Sequence, residues 1–375
     1  MLRSQGGDAP LAKSKRLYLI PVLSKALDIL ELLQAESRPL TLEAIHQRTR
    51  ISKTTVYRVL KTFAHRGYLA QAPDGTYRHV VRKHKMRFGF AGQSADMPFS
   101  NDVTHSLADS ARALGVDLVV LDNHYDGATA VQNAEALIRS GVDLIIDFNV
   151  AHEVAPVIGH RIAEAGIPLI AVDIPHPNAI FFGVDNYRVG MDAGELLVAH
   201  ALEHWGGKST FVLGLDLSVA GALVHGRVSG AFETIRATLR DIPTEAYIHL
   251  DGRGQSEVSR RVVGEFLDSH PKDKYILIAA ATDSSALGAA AAVRERRRTR
   301  HVAIVGQDCI ADAVTEMRRA DSPLVGTISH ETATYGPSLM HIALDLLRGQ
   351  PVPPYNYVTH RVVSKASLLR TSPKP

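Results

Sequence analysis

A single cysteine, Cys309, and a single tryptophan stand among 375 residues. One thiol excludes an intrachain disulfide and a cysteine-based structural zinc site. No apolar run approaches the roughly 20 residues that a membrane-spanning helix needs. Residues 1–16 are polar and lack the apolar core of a secretory leader, and the apolar stretch 17–20 is too short to supply one. A disordered first stretch, no membrane partner and a cytoplasmic location are expected. Catalytic signatures are missing too. The chain has no Gly-x-Ser-x-Gly elbow and no phosphate loop, and Gly252-Arg253-Gly254 lacks the third glycine of a dinucleotide turn. His152-Glu153 and His330-Glu331 lack a second histidine three residues on, so the zinc-protease pattern fails. His200 and His204 fall on one helical face, but further ligands cannot be identified from sequence. Eighteen histidines are scattered along the chain. The basic run 294–300 reads as a solvated helix end. No catalytic residue, metal site or cofactor is expected.

What the chain has is a polarised charge distribution. Residues 1–90 hold 17 Lys and Arg against 6 Asp and Glu, a net of +11, whereas 91–375 hold 25 against 33, a net of −8. The total of +3 therefore hides a basic head on an acidic body. Residues 17–90 alone still carry 13 against 5, so the charge belongs to more than a tail. Such asymmetry suits phosphate contact at one end.

Within the head, Ser52 reads as the N-cap of a helix whose Val56, Val59, Leu60 and Phe63 form one apolar stripe. Lys53, Thr54, Tyr57, Arg58 and Lys61 fall largely off that stripe, and Gly67 ends the helix. A first amphipathic helix is predicted over 22–34, facing inward through Val22, Leu23, Ala26, Leu27, Leu30 and Leu33. A second starts after Thr41, with Leu42 and Ile45 inward, and Arg50-Ile51 turns into the third. Two short strands around Pro73-Asp74-Gly75 follow, since Asp-Gly favours a hairpin. Three helices and a hairpin make a winged helix-turn-helix, whose third helix would enter the major groove.

This region, about 20–80, resembles the DNA-binding domain of IclR-type regulators. The resemblance is carried by Val22-Leu23-Ser24-Lys25-Ala26-Leu27-Asp28-Ile29-Leu30, by Ser52-Lys53-Thr54-Thr55-Val56-Tyr57-Arg58-Val59-Leu60, by Arg66-Gly67-Tyr68-Leu69 and by Gly75-Thr76-Tyr77-Arg78. DNA contacts are expected from Arg50, Ser52, Lys53, Thr54, Thr55, Tyr57, Arg58, Lys61 and the wing residue Arg78.

From residue 86 the texture changes. Near-repeats centred on Gly115, Gly141 and Gly166 each join a helix end to a branched-aliphatic strand, at intervals of 26 and 25 residues. Further strands are predicted at 209–215, 245–250, 275–279, 302–305 and 324–328. Alternation at this length means βα units in parallel sheets, here two doubly wound lobes facing one cleft.

The stretch 86–365 resembles the sugar-binding lobes shared by ribose-type periplasmic solute-binding proteins and LacI-type repressor sensors. It does so through Phe88-Gly89-Phe90 with Met97-Pro98-Phe99, through Gly141-Val142-Asp143-Leu144-Ile145-Ile146 and through Gly166-Ile167-Pro168-Leu169-Ile170-Ala171-Val172-Asp173. Val184-Asp185-Asn186, Arg227 with Gly230, Asp283 with Gly288, Val305-Gly306-Gln307-Asp308 and Gly326-Thr327-Ile328 continue the ordered set. The resemblance implies that Phe99 stacks on a sugar face and Asn149 makes a polar contact. It also implies that Asp173 and Asp308 accept from hydroxyls, that Arg227 donates, and that Thr282, Asp283 and His330 complete the pocket. Ser100 stands where the family often has a second aromatic, and Ile174 where an arginine often follows the Asp. Other readings stay open: Phe99 as lobe core, Asp173 and Asp308 as helix caps, Arg227 as a surface residue.

The expected organisation is a tail (1–16), a winged helix-turn-helix (17–80), a basic linker (81–85) and a bilobed α/β body (86–370). Lobe 1 takes about 86–186 and 331–355, and lobe 2 about 187–330 and 356–370. The linker has no LacI-type hinge helix, and the usual IclR-type effector domain is absent. The chain reads as a ligand-responsive transcriptional regulator, a repressor, whose partners are an operator duplex, a sugar or polyol effector and a second copy of itself. Lobe closure would alter operator affinity through the two heads of a dimer. A receptor for a sugar transporter and a sugar-modifying enzyme are the alternatives.

Overall fold

A computed structural model describes residues 20–80 and 85–371; the tail expected at 1–16, and all of the expected linker but Lys85, lie outside the described residues. The chain divides into two compact units, Met1–His84 and Lys85–Pro375. The first contains α1 (Pro21–Ala35), α2 (Leu42–Thr49) and α3 (Lys53–His65), then an antiparallel hairpin of β1 (Leu69–Gln71) and β2 (Tyr77–His79). Its caps form as expected from local chemistry. Thr41 accepts from the Ala44 N–H at the start of α2, and Ser52 from the Thr55 N–H at the start of α3. In the hairpin turn Asp74 Oδ1 accepts from the Thr76 N–H at 3.0 Å.

The expected inward face of α1 is corrected. Ile29 and Leu33 are buried and Ala26 and Leu30 partly so, but Val22, Leu23 and Leu27 are 62, 53 and 46% exposed. The apolar arc of the helix runs from Ile29 through Val22, Leu33, Ala26 and Leu30 to Leu23 and Leu27. The side chains of α2, α3 and β2 cover one edge of this arc; Leu23 and Leu27 fall on its other edge, and Val22 lies in the first turn.

The second unit alternates strands and helices: β3 (Arg87–Gly92), α4 (Pro98–Leu114), β4 (Asp117–Asp122), α5 (Gly127–Arg139), β5 (Leu144–Asp147), α6 (Ala155–Glu164), β6 (Leu169–Val172), β7 (Ile180–Gly183) and α7 (Asn186–Trp205). Next come β8 (Phe211–Asp216), α8 (Gly221–Thr238), β9 (Tyr247–Asp251), α9 (Ser256–Ser269), β10 (Ile276–Ala280), α10 (Asp283–Glu295), β11 (Val302–Asp308), α11 (Ala311–Met317) and β12 (Leu324–Ser329). The unit ends with α12 (Tyr335–Leu347), β13 (Tyr355–Tyr357), β14 (Arg361–Ser364) and α13 (Lys365–Thr371). Two six-stranded sheets result, in the orders β13-β7-β6-β5-β3-β4 and β14-β12-β11-β10-β8-β9. Pairing is parallel except for the edge strand β14. Central strands such as β5 and β10 are buried along their whole length, which is why they read as continuous aliphatic runs. The repeated glycines close helices as expected, with φ near +70° at Gly115, Gly141 and Gly166.

The chain passes from one sheet to the other three times, after β7, after β12 and after β13. The last passage falls beyond Tyr357, because β13 pairs with β7 over 355–357, whereas the sequence reading ended lobe 1 at 355. Side-chain contacts pin these passages. His360 Nε2 lies 2.6 Å from Asp192 Oδ2 on α7, and Arg361 Nε lies 3.1 Å from Glu331 Oε1.

Helices α7 and α8 approach closely in the second lobe. A Cβ added at Gly190 would lie 2.5 Å from the Arg227 carbonyl oxygen, and one at Gly230 would lie 2.3 Å from the Tyr187 carbonyl oxygen. Backbone has no room to yield there, so only glycine fits. Gly190→Val is expected to destabilise the body by about 1–3 kcal/mol through overpacking. Urea denaturation followed by far-ultraviolet circular dichroism would show a lower midpoint; an unchanged midpoint would refute the close-packing account.

Candidate functional site

The two sheets present the carboxyl ends of their strands to one cleft, where ligands of open α/β sheets bind. Strand ends supply most of its polar groups. Gln93 follows β3, Asn149 lies two residues past β5, Asp173 directly follows β6, Thr282 lies two residues past β10 and Asp308 ends β11. Phe99 comes from the first turn of α4 and Arg227 from α8. These residues, with Tyr125, Ser284 and apolar side chains including Phe148, Ile174, Leu217 and Val224, line a cavity of about 50 Å³. That space holds a few waters. Across the mouth the lobes touch: the Tyr125 hydroxyl donates to the Arg253 carbonyl at 3.2 Å, and His152 Nδ1 lies 2.9 Å from the Val219 carbonyl oxygen.

Arg227 is buried and held from two sides. Its Nε donates to Asn186 Oδ1 at 2.7 Å and its Nη1 to the Ala281 carbonyl at 2.9 Å, with Asp308 Oδ1 3.8 Å from Nη1. Asp173 and Asp308 both adopt left-handed backbone, at φ 61° and 109°. Strain of this kind at non-glycine residues concentrates where a side chain must be aimed. Burial pushes the Asp173 carboxyl up to about 6, against the opposing pull of Arg227 and the Val184 N–H. Burial also raises Asp308 well above the usual carboxylate range; Arg227 opposes this, and the charges of Asp283 and Asp173 add to it. The cleft thus sets one guanidinium against two carboxyls that ionise reluctantly. It offers both donors and acceptors, the requirement for gripping hydroxyl groups.

Six of the eight cleft residues expected from sequence line this cavity: Phe99, Asn149, Asp173, Arg227, Thr282 and Asp308. Asp283 and His330 lie behind its wall and do not line it. Asp283 is fully buried, accepting from Thr327 Oγ1 at 2.7 Å and from the Ile310 N–H at 3.0 Å. It braces the turn that carries Asp308. His330 is also fully buried, and burial holds its imidazole well below the usual range, so the ring is neutral. Its Nε2–H donates to Gln307 Oε1 at 3.1 Å, a tautomer set by the Gln307 amide, whose Nε2 donates to the Val189 carbonyl. Nδ1 then faces Asp308 Oδ1 at 3.4 Å. Phe99 meets Phe148, His330 and Tyr335 edge-on, so it serves as both lobe core and cavity wall. Thr282 spends its hydroxyl oxygen capping α10. Ser100, where a second aromatic is common, turns inward and accepts from the Ser94 N–H.

Sequence reasoning missed Gln93, Tyr125 and Ser284. It also missed a fully buried pair behind Asn149. His176 Nε2 lies 2.9 Å from Asp147 Oδ2, and Asn149 Nδ2 donates to the same oxygen at 2.8 Å, which fixes the amide's orientation. The regular spacing of strand ends could have pointed to Gln93, but nothing local marks His176.

In the head, the expected DNA-contacting residues divide by what already holds them. Ser52 and Thr55 serve the cap of α3, their hydroxyl oxygens 2.9 Å apart. Lys53 Nζ lies 2.6 Å from Glu43, and Lys61 Nζ donates to Gln71 Oε1 at 3.1 Å. Thr54, Tyr57, Arg58 and Arg78 are exposed, and Arg50 sits in the left-handed turn between α2 and α3. Arg50, Arg58 and Arg78 have no carboxylate partner among the described residues.

The body therefore defines a two-lobed receptor of the solute-binding kind. The chain belongs to the periplasmic binding protein domain family, whose model matches residues 88–351, and it carries an IclR helix-turn-helix domain at residues 22–73. No curated protein matches the chain. Solved structures with the same fold include a periplasmic solute-binding protein of an ABC transporter from Actinobacillus succinogenes with bound D-allose. It is 20% identical, with a TM-score of 0.66, over 76% of this chain and 100% of that one. A solute-binding protein from Bacillus halodurans with bound myo-inositol is 17% identical, with a TM-score of 0.66, over 78% of this chain and 98% of its own. An ABC sugar transporter subunit from Rhodobacter sphaeroides is 21% identical, with a TM-score of 0.63, over 75% and 98%. No helix among the described residues is long and apolar enough to cross a membrane.

The raised Asp173 carboxyl makes a signed prediction. Its folded value, about 6, lies above that of an unfolded aspartate, so its proton stabilises the fold at low pH and that contribution is lost as pH rises through about 6. Asp173→Asn removes this dependence. The variant should gain stability relative to the parent between about pH 4 and pH 7, by roughly 2–3 kcal/mol. Parallel urea titrations at the two pH values measure the difference; a difference that does not change with pH would contradict the buried, proton-holding carboxyl.

Proposed function

We propose that this protein is a ligand-responsive transcriptional regulator, cytoplasmic and homodimeric, that binds an operator duplex through its head and a neutral sugar or polyol in its cleft. One observation carries the reading. A buried guanidinium, two buried carboxyls, an amide and an aromatic side chain converge on one enclosed space, in a chain that also carries a helix-turn-helix domain with exposed arginines. Hydroxyl-rich neutral ligands match such a set of donors and acceptors. The solved relatives with bound D-allose and myo-inositol support that chemistry. In the head, Thr54, Tyr57, Arg58 and Lys61 of α3 would face the major groove, with Arg50 and Arg78 at the backbone beside it. Ser52, Lys53 and Thr55 would set the N-terminus of α3 against the duplex. In the cleft, Asp173 and Asp308 would accept hydrogen bonds from ligand hydroxyls, Arg227 and Asn149 would fix the ligand's orientation, and Phe99 would pack on its C–H face. A repressor is the simplest form: ligand binding changes the affinity of the heads for the operator. A transport receptor would use the same cleft but leaves the basic head without a role.

A thermal-shift screen with pentoses, hexoses, polyols and sugar acids would find the ligand. Operator binding by the full chain, with and without it, would follow. Arg58→Ala is expected to cost about 1–3 kcal/mol of operator binding and to leave sugar affinity intact. Asp173→Ala is expected to weaken sugar binding about 10–100-fold through loss of a charged hydrogen bond, and to leave operator affinity without sugar intact. If each folded variant lost both activities, the assignment of separate surfaces would be wrong.

A further inference from the structure

The geometry points to a divalent transition-metal site on the second lobe, formed by Asp216, His225 and His249. Asp216 ends β8, His249 lies on the neighbouring β9 and His225 on α8. Each imidazole takes one oxygen of the carboxylate: His225 Nδ1 lies 2.7 Å from Oδ1 and His249 Nδ1 lies 2.7 Å from Oδ2. One potential ligand atom from each residue lies within 4.8 Å of the other two, and among the described residues no other three His, Cys, Asp or Glu side chains are grouped this way. The Asp216 side chain is 13% exposed and the two imidazoles 45 and 48%, so a fixed carboxylate stands behind two rings that water can reach.

The donor set selects the class of cation. Two imidazoles and one carboxylate suit zinc, cobalt or nickel, whereas calcium and magnesium want all-oxygen shells. Tetrahedral ligands about 2.0–2.1 Å from zinc stand a little over 3 Å apart. Each Nδ1 therefore has to draw back from its carboxylate oxygen by about half an ångström, and the two imidazole ligand atoms, within 4.8 Å of each other, have to settle at the same spacing, which half-exposed side chains can do. The rings already sit together, their centroids 5.2 Å apart, and Phe232 backs His249 with its centroid 4.8 Å away. Three protein ligands leave at least one position to water. The site would also bear on the cleft. Between Asp216 and His225 the chain supplies Leu217, Ala220 and Val224 to the cavity wall, and its Val219 carbonyl meets His152 of the other lobe. A metal joining strand, strand and helix would hold that loop in place.

Zinc titrated by calorimetry into the full chain, stripped beforehand with chelator, tests the site. One equivalent is expected to bind, with cobalt giving the intense visible band of a four-coordinate site. His225→Asn with His249→Asn should weaken that equivalent at least about 10–100-fold. His200→Asn with His204→Asn should leave it unchanged. Diethylpyrocarbonate labelling read by mass spectrometry gives a second measurement that needs no variant: zinc should protect His225 and His249 from modification. If the doubly substituted His225 and His249 protein bound zinc as the parent does, or zinc left both rings fully reactive, the site would be refuted.

Discussion

Among the described residues Arg227 is the one cation lining the cleft, and where its guanidinium is held sets what the cleft can accommodate. Taking a charge out of water is costly unless it is paired and hydrogen-bonded. Here the cost is met by Asn186, by the Ala281 carbonyl and by a carboxyl at 3.8 Å. Asn186 opens α7, the helix that begins where the chain first leaves one lobe for the other. The glycine-lined contact of α7 with α8 brings Arg227 to that amide. The passage between lobes, the helix contact and the cleft charge are therefore one construction. The two carboxyls compete for a single cation, and burial raises both above the usual range.

A second layer keeps that arrangement stiff. Asp283 ties Thr327 to the turn after Asp308. A Cβ at Gly306 would lie only 2.1 Å from an Asp283 oxygen, so glycine makes the space for the carboxyl. His330 packs against Asp308 and is held by Gln307, whose amide donates to the backbone of α7. Asp147 and His176 do the same for Asn149. Second-layer contacts of this kind orient the side chains that line the cleft.

Much of the fold was legible in the sequence because it is set by local chemistry. Thr41 and Ser52 cap the helices they precede, and Asp74 with Gly75 makes the hairpin turn. The 25-residue rhythm of glycines and aliphatic strands corresponds to βα units. Cleft residues at strand ends, such as Asp173 and Asp308, were legible for the same reason: topology puts every strand end at one rim. What escaped depends on contacts distant in sequence. Asp283 looked like a ligand until Thr327, 44 residues away, claimed its oxygen. The exposed side of α1 is decided by its neighbours rather than by its own pattern. Asp216, His225 and His249 have no recognisable spacing, because the parallel register of β8 and β9 sets Asp216 near His249 and α8 carries His225 to them. The sequence points instead to His200 and His204, neighbours on one helix with no third ligand side chain grouped with them among the described residues.

In the proposed regulator the cleft and the helix-turn-helix domain are linked in one thermodynamic cycle. Linkage is reciprocal: if the sugar changes duplex affinity by some factor, the duplex must change sugar affinity by the same factor. Calorimetric titration of the sugar into the full chain, first alone and then saturated with operator duplex, reads this directly. The account predicts sugar affinities that differ about 5–150-fold, the range of coupling typical of allosteric proteins. Identical sugar affinities with and without bound duplex would contradict it.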